Sequence, residues 1–148
     1  MIFIGADHRG FKLKEDLKEK LEADGYEVED LGDDHLDKKD DYVIFAHQVA
    51  DAVSIDPENK GILLCGSGAG VDMVANKIDG VRSALVFDVP RAIQARQHED
   101  ANVLSLPADI LDEKEADKIV TAFLETEFSG EQRHERRLEE MSEVEEEH

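Results

Sequence analysis

Gly61-Ile62-Leu63-Leu64-Cys65-Gly66-Ser67-Gly68-Ala69-Gly70 is the stretch on which the rest of the chain is organised. Ile62 to Cys65 is an apolar run of strand length, short enough to be a strand buried on both faces. Three glycines at alternate positions follow it. A residue without a β-carbon lets the backbone turn sharply and approach a ligand closely. Val71, Val74, Ala75 and Ile78 then recur at helical spacing, which predicts a helix starting between Gly68 and Val71. Strand, glycine loop and helix start together gather unpaired N–H groups suited to an anion. The chain's single cysteine stands at the mouth of that loop.

Outward from this unit, strands and helices alternate. Met1–Ala6 reads as a buried strand followed at once by Asp7-His8-Arg9-Gly10. Phe11, Leu13, Leu17 and Leu21 mark the core side of a helix, with Lys and Glu opposite, and Gly25 ends it. Tyr26–Leu31 alternates between apolar and acidic residues, as a strand nearer a sheet edge does. Residues 32–41 form a polar acidic loop, and 42–53 a second helix with Phe45, Val49 and Val53 inward. Beyond the glycine unit come a strand over 81–87, a short helix over 90–97 and a strand over 101–106. Asp112 caps a helix over 113–124, and a very polar helix occupies 130–147, its end fraying. Five alternations predict a parallel sheet with helices on both faces. Ligands of such folds sit at the carboxyl ends of the strands. Asp7-His8, Cys65–Gly70 and Asp88 all follow strands and so share that edge.

The 148 residues suit one domain spanning the whole chain. No apolar run approaches the ~18 residues that span a bilayer, and no basic, apolar leader is evident. One cysteine cannot form an internal disulfide, so a cytoplasmic protein is expected. With 37 acidic against 17 basic residues the formal charge is −20. Such a surface repels nucleic acid and anionic membranes. A phosphate site must then be built locally from arginine and backbone N–H groups.

The chemistry-bearing residues each admit two readings. Cys65 is either a buried structural thiol or a thiolate acting as nucleophile or base; helix N-termini lower cysteine pKa values below about 8.5. Ser67 is either turn chemistry or an oxyanion donor beside the N–H groups of Gly68, Ala69 and Gly70, where one donor is worth roughly 3 kcal/mol. The Gly-x-Gly-x-x-Gly dinucleotide pattern is not met. Asp7-His8 is a helix cap with a surface histidine, or part of a site. His98 precedes the fifth strand and suits proton transfer near neutrality. His35, His47 and His148 read as surface. Arg133 and Arg137 share a helix face, either pairing with Glu135 and Glu140 or forming a phosphate clamp. The lone cysteine and the absence of His-x-x-x-His argue against a metal site.

Asp7-His8 with Gly10, Asp41-Tyr42, Gly61 to Gly70, Ala75-Asn76-Lys77, Gly80-Val81-Arg82, His98 with Asp100 to Leu104, and Arg133-His134 with Arg137 together resemble the ribose-5-phosphate isomerase B family, which includes the galactose-6-phosphate isomerase subunits. The resemblance runs in order from residue 1 to about 141. It implies a three-layer α/β/α doubly wound (Rossmann-like) fold with a C-terminal helix. It also implies a homodimer or dimer of dimers with active sites between chains. The activity implied is aldose–ketose isomerisation of a small-molecule sugar phosphate, without metal or organic cofactor and without nucleic-acid or membrane partners. Cys65 would move the proton, and Gly66, Ser67, Gly68, Ala69 and Gly70 would hold the enediolate. His98, assisted by Asp7, would open the sugar ring. His8, Arg133 and Arg137 would hold phosphate, and Tyr42 would line the sugar pocket. Some relatives carry a glutamate base at the position of Val71; this chain is of the cysteine type.

Three positions depart from the family pattern: Glu99 stands for Asn, Asp109 for Arg and Val43 for Pro. Two unit charges at ~6 Å in an effective dielectric of ~20 interact by about 3 kcal/mol. Acids near the phosphate therefore leave open an isomerase of a different or unphosphorylated sugar, or a non-catalytic binding subunit.

Overall fold

The computed structural model describes residues 1–148. Its elements in chain order are β1 (Ile2–Ala6), α1 (Phe11–Ala23), β2 (Val28–Asp30), α2 (Tyr42–Ser54), β3 (Lys60–Cys65), α3 (Ala69–Ala75), β4 (Ser83–Leu85), α4 (Val89–Glu99), β5 (Val103–Pro107), α5 (Glu113–Glu125) and α6 (Gln132–Glu146). All strand pairs are parallel, in the order β2-β1-β3-β5-β4. The α/β alternation and the parallel sheet are as expected. β2 and β4 are shorter than their sequence stretches because they are the two edges. Each pairs on one side only, and pairing stops where the partner's register ends.

The strands read as near-continuous apolar runs because both faces are covered. On one face Leu13, Leu17 and Leu21 of α1, Ala92 and Ala95 of α4 and Ile119, Val120 and Phe123 of α5 pack on Ile4, Ile62, Leu64, Leu104 and Leu106. On the other, Ala46, Val49, Ala50 and Val53 of α2 and Val71 and Ala75 of α3 pack on Leu63, Cys65 and Val103. Gly61 sits where α2 comes closest: a β-carbon there would lie 2.9 Å from Val49 and Val53. A larger residue would push the helix off the sheet.

Lys14 departs from the simple amphipathic pattern of α1. It is 0% exposed, and its ammonium bonds Asp30 Oδ2 at 2.8 Å and the Asp33 carbonyl at 2.7 Å. A buried cation needs such partners, and these tie α1 to the end of β2 and the following loop. The Asp30 pKa is set by opposing effects. Burial pushes it up, but the Lys14 ammonium, the Gly32 N–H and Lys18 outweigh burial and hold it below the usual range. Asp112 caps α5 as expected, accepting from the Glu115 N–H at 2.7 Å in a full capping box. The last helix continues to Glu146. No helix is long and apolar enough to cross a membrane.

Candidate active site

The carboxyl ends of β1, β3 and β5 meet at one rim. Ala6 pairs with Leu64 and Cys65 with Pro107. Asp7 N–H donates to the Leu64 carbonyl at 3.3 Å, and Ala108 and Asp109 N–H groups donate to the Cys65 and Gly66 carbonyls at 2.9 and 3.0 Å. The glycine loop is therefore clamped between the segments that follow β1 and β5.

Within the loop, Gly68 has φ +74°, a left-handed conformation that glycine adopts at little cost. A β-carbon there would also lie 2.9 Å from the Leu106 carbonyl carbon. Ser67 Oγ accepts from the Ala69 N–H at 3.1 Å. The N–H groups of Gly66, Ser67, Gly68, Gly70 and Val71 find no acceptor in the protein. Unpaired amides converging on one spot make an anion-binding concavity. Cys65 lies beneath them, 4% exposed, at the top of the smaller core. The Tyr42 ring, on the first residue of α2, covers Gly70 so closely that a β-carbon there would be 2.7 Å from it.

Asp7 is buried. Its Oδ1 accepts from the N–H groups of Arg9 at 3.0 Å and Gly10 at 3.2 Å, so it shapes the turn into α1. His8 is held from the 32–41 loop: Asp40 Oδ1 accepts from its N–H at 2.9 Å and lies 2.8 Å from Nδ1. Burial opposes ionisation of Asp40, but the His8 ring, the His8 amide and Asp33 together lower its pKa. Burial and then Asp40 raise that of Asp33, so of the two carboxyls Asp33 holds its proton longer. Asp40 gave no sign in the sequence beyond lying in an acidic loop; its partner is 32 residues away. Arg9 and Asp109 form an ion pair across the rim, and neither pattern nor spacing points to it.

The remaining expected site residues lie elsewhere. α4 starts at the carboxyl rim, where Asp88 caps it by accepting from Arg91 N–H at 2.8 Å. Its 11 residues run back about 16 Å toward the other end of the sheet. His98, at its end, is followed almost directly by Val103, which pairs with Gly61 at the start of β3. Four residues of strand, about 13 Å, separate Gly61 from Cys65. His98 stacks on the buried His134 with ring centroids 4.5 Å apart, and His134 Nδ1 lies 2.8 Å from Ser129 Oγ. Arg133 pairs with Glu131 and Arg136 with Glu140, while Arg137 is exposed and makes no ion pair. The expected site residues of one chain thus fall into two groups at opposite ends of its sheet. The main clefts of a single chain do not include Cys65, Ser67 or His8. The roomiest, about 640 Å³, runs along β4 between α4 and α6.

A parallel sheet with a thiol and a glycine-loop amide nest at its carboxyl rim fits an aldose–ketose isomerase, and the chain belongs to the ribose/galactose isomerase family, whose model matches residues 2–141. Among its relatives is the probable ribose-5-phosphate isomerase B of Mycoplasma genitalium. It is 44% identical over 147 residues, covering 99% of this chain and 96% of the relative. The ribose-5-phosphate isomerase B of Mycobacterium tuberculosis is 39% identical over 147 residues, 99% of this chain and 91% of the relative. The crystal structure of the Mycoplasma genitalium protein with bound ribulose 5-phosphate matches with a TM-score of 0.96, covering 99% of this chain and 97% of that one. The type B enzyme of Trypanosoma cruzi matches at 0.94 with 36% identity, covering 99% of each chain.

Proposed function

We propose that this protein interconverts ribose 5-phosphate and ribulose 5-phosphate through an enediolate, with Cys65 as the base. The observation that carries the reading is the thiol that ends β3 and leads directly into a glycine loop whose amides lack acceptors. In the open-chain aldose, the Cys65 thiolate takes the proton from C2 and the electron pair of that bond moves through C1 onto the carbonyl oxygen. The loop amides receive the negative charge as it develops. Return of the proton to C1, with transfer between the two oxygens, gives the ketose. Both electrons and the proton stay on substrate and enzyme, so the chemistry as written needs no metal or organic cofactor. A base without an adjacent anion hole would face a carbon acid far too weak to ionise.

Ring opening falls to His98 of a second copy, since His98 of the same chain lies at the far end of the sheet. On the same reading Arg133 and Arg137, which also lie at that far end, serve the neighbouring molecule's site. A homodimer with composite sites is supported by the exposed apolar residues at the rim, Tyr42, Val43, Ile44, Met73, Phe87 and Ile110. A base that must stay a free thiol suits a reducing, cytoplasmic setting.

A panel of aldoses and ketoses, each with and without phosphate, tests the reading. Turnover of ribose 5-phosphate is expected, and Cys65→Ala should lower kcat by about 10³-fold or more with an unchanged circular dichroism spectrum. Turnover of unphosphorylated sugars alone would move the substrate. A folded protein silent on every sugar would mark a binding subunit.

A further inference from the structure

The Arg9–Asp109 pair lies on the glycine loop itself. The Arg9 guanidinium covers Gly66 so completely that a β-carbon at Gly66 would overlap it. Its main chain is fixed from below, the Arg9 N–H donating to Asp7 at 3.0 Å. Asp109 is fixed from the other side by its own N–H on the Gly66 carbonyl at 3.0 Å. A guanidinium offers five N–H donors in a flat fork. Within the protein only one terminal nitrogen is engaged, by one oxygen of Asp109. Both side chains are about half exposed, 54% and 43%, so the guanidinium is open to a ligand from solvent.

Acids stand close to that space: Asp109 is paired with the guanidinium, Asp7 accepts from the Arg9 N–H beneath it, and the neighbouring His8 is committed to Asp40. In a chain of charge −20, a dianion reaching the loop gains from a cation beside the loop itself, in addition to the Arg133 and Arg137 proposed above to come from a neighbouring copy. Arg9 is the arginine that this chain places there.

We propose that Arg9 binds the substrate's phosphate monoester, and that Asp109 is the anion it exchanges for that phosphate. The proposal rests on the sugar-phosphate reading above and adds to it a residue that binds and selects. With the site empty, Asp109 holds the guanidinium over Gly66 and satisfies part of its charge. An arriving phosphate supplies two negative charges and several acceptors against the one carboxylate oxygen, so the fork turns to it and Asp109 swings to solvent. Exposed pairs of this kind are weak, typically below about 1 kcal/mol, so the exchange costs little. Charge-assisted, bidentate contacts to phosphate are stronger. An unphosphorylated sugar gains nothing from the exchange and leaves the pair closed.

Two measurements on the purified full chain decide it: calorimetric titration with inorganic phosphate, and steady-state kinetics with ribose 5-phosphate. Arg9→Gln should weaken phosphate binding by about tenfold or more and raise KM for ribose 5-phosphate equally, with kcat within about threefold. Arg9→Lys should fall between, since it keeps the charge and loses the fork. Asp109→Asn should tighten phosphate binding about threefold by removing the competing anion. Wild-type affinity for phosphate in Arg9→Gln overturns the proposal, as does a loss confined to kcat. Weaker phosphate binding by Asp109→Asn overturns the exchange. Phosphate binding that depends on Arg9, in a wild-type protein that turns over no sugar phosphate, would sink the isomerase reading and leave the Arg9 assignment standing.

Discussion

The residues that follow strands were legible because a parallel sheet delivers every strand end to one rim. Asp7, His8, Cys65, Ser67 and the three glycines lie where the sequence reading puts them. What escaped it are the partners: Asp40 for His8, Asp109 for Arg9 and His134 for His98. These contacts join distant segments or depend on how α6 settles on α4, and no local periodicity encodes them. Gly68 makes the residue-scale test. Alanine there would take up φ near +74° against the carbonyl carbon of Leu106. A left-handed non-glycine residue costs roughly 1–2 kcal/mol, and the β-carbon would also lie 2.6 Å from Leu85 Cδ1, so Gly68→Ala should lower the unfolding free energy by at least that amount. The loop can escape the strain only by reorienting its amides, so kcat should fall more than KM rises. A variant with lowered stability but wild-type kcat would show that the amides of this loop do not meet the reacting oxygen.

At the scale of elements, the helices were read more surely than the edges of the sheet. α5 starts at its capping box and α1 stops before Gly25 because those signals are local. β2 and β4 shrink to Val28–Asp30 and Ser83–Leu85 because an edge strand lasts only as long as its single neighbour pairs with it. Lys14 was hidden for a related reason: its burial is imposed by Asp30, on a different element. That link carries a stability prediction. The Asp30 pKa is depressed in the folded protein, so its contribution is fully present above the unfolded carboxylate value, about 4. It disappears as pH falls through the folded value. Asp30→Asn takes the main anion from a fully buried ammonium, leaving it the Asp33 carbonyl and Glu15 at 3.2 Å, and should cost up to about 3 kcal/mol at pH 7. The gap in melting temperature between wild type and variant should close as pH drops below about 4. A gap that stays constant from pH 7 to pH 3 would mean that Asp30 acts through packing rather than charge.

For the whole molecule, the decisive fact is the distance built into α4 and β3. The thiol and the amide nest stand at one end of the sheet, His98 and the Arg133–Arg137 face at the other. Two copies related by a two-fold axis can bring unlike ends together twice, because a symmetric interface repeats every contact. In the dimer proposed above each site takes its base from one chain and its ring-opening histidine from the other, so that two dead chains should complement. A Cys65→Ala chain keeps its own His98, and a His98→Ala chain keeps its own Cys65. When the two refold together in equal amounts, half of the dimers are mixed. Each mixed dimer has one site with both groups intact and one with neither. Recovery of about one quarter of wild-type activity is therefore expected from two variants that are each inactive. The recovery should vanish when the variants are mixed without unfolding, provided the dimer does not exchange subunits. Sites contained within one chain would give no recovery at any mixing ratio, since every chain would then lack either its base or its histidine.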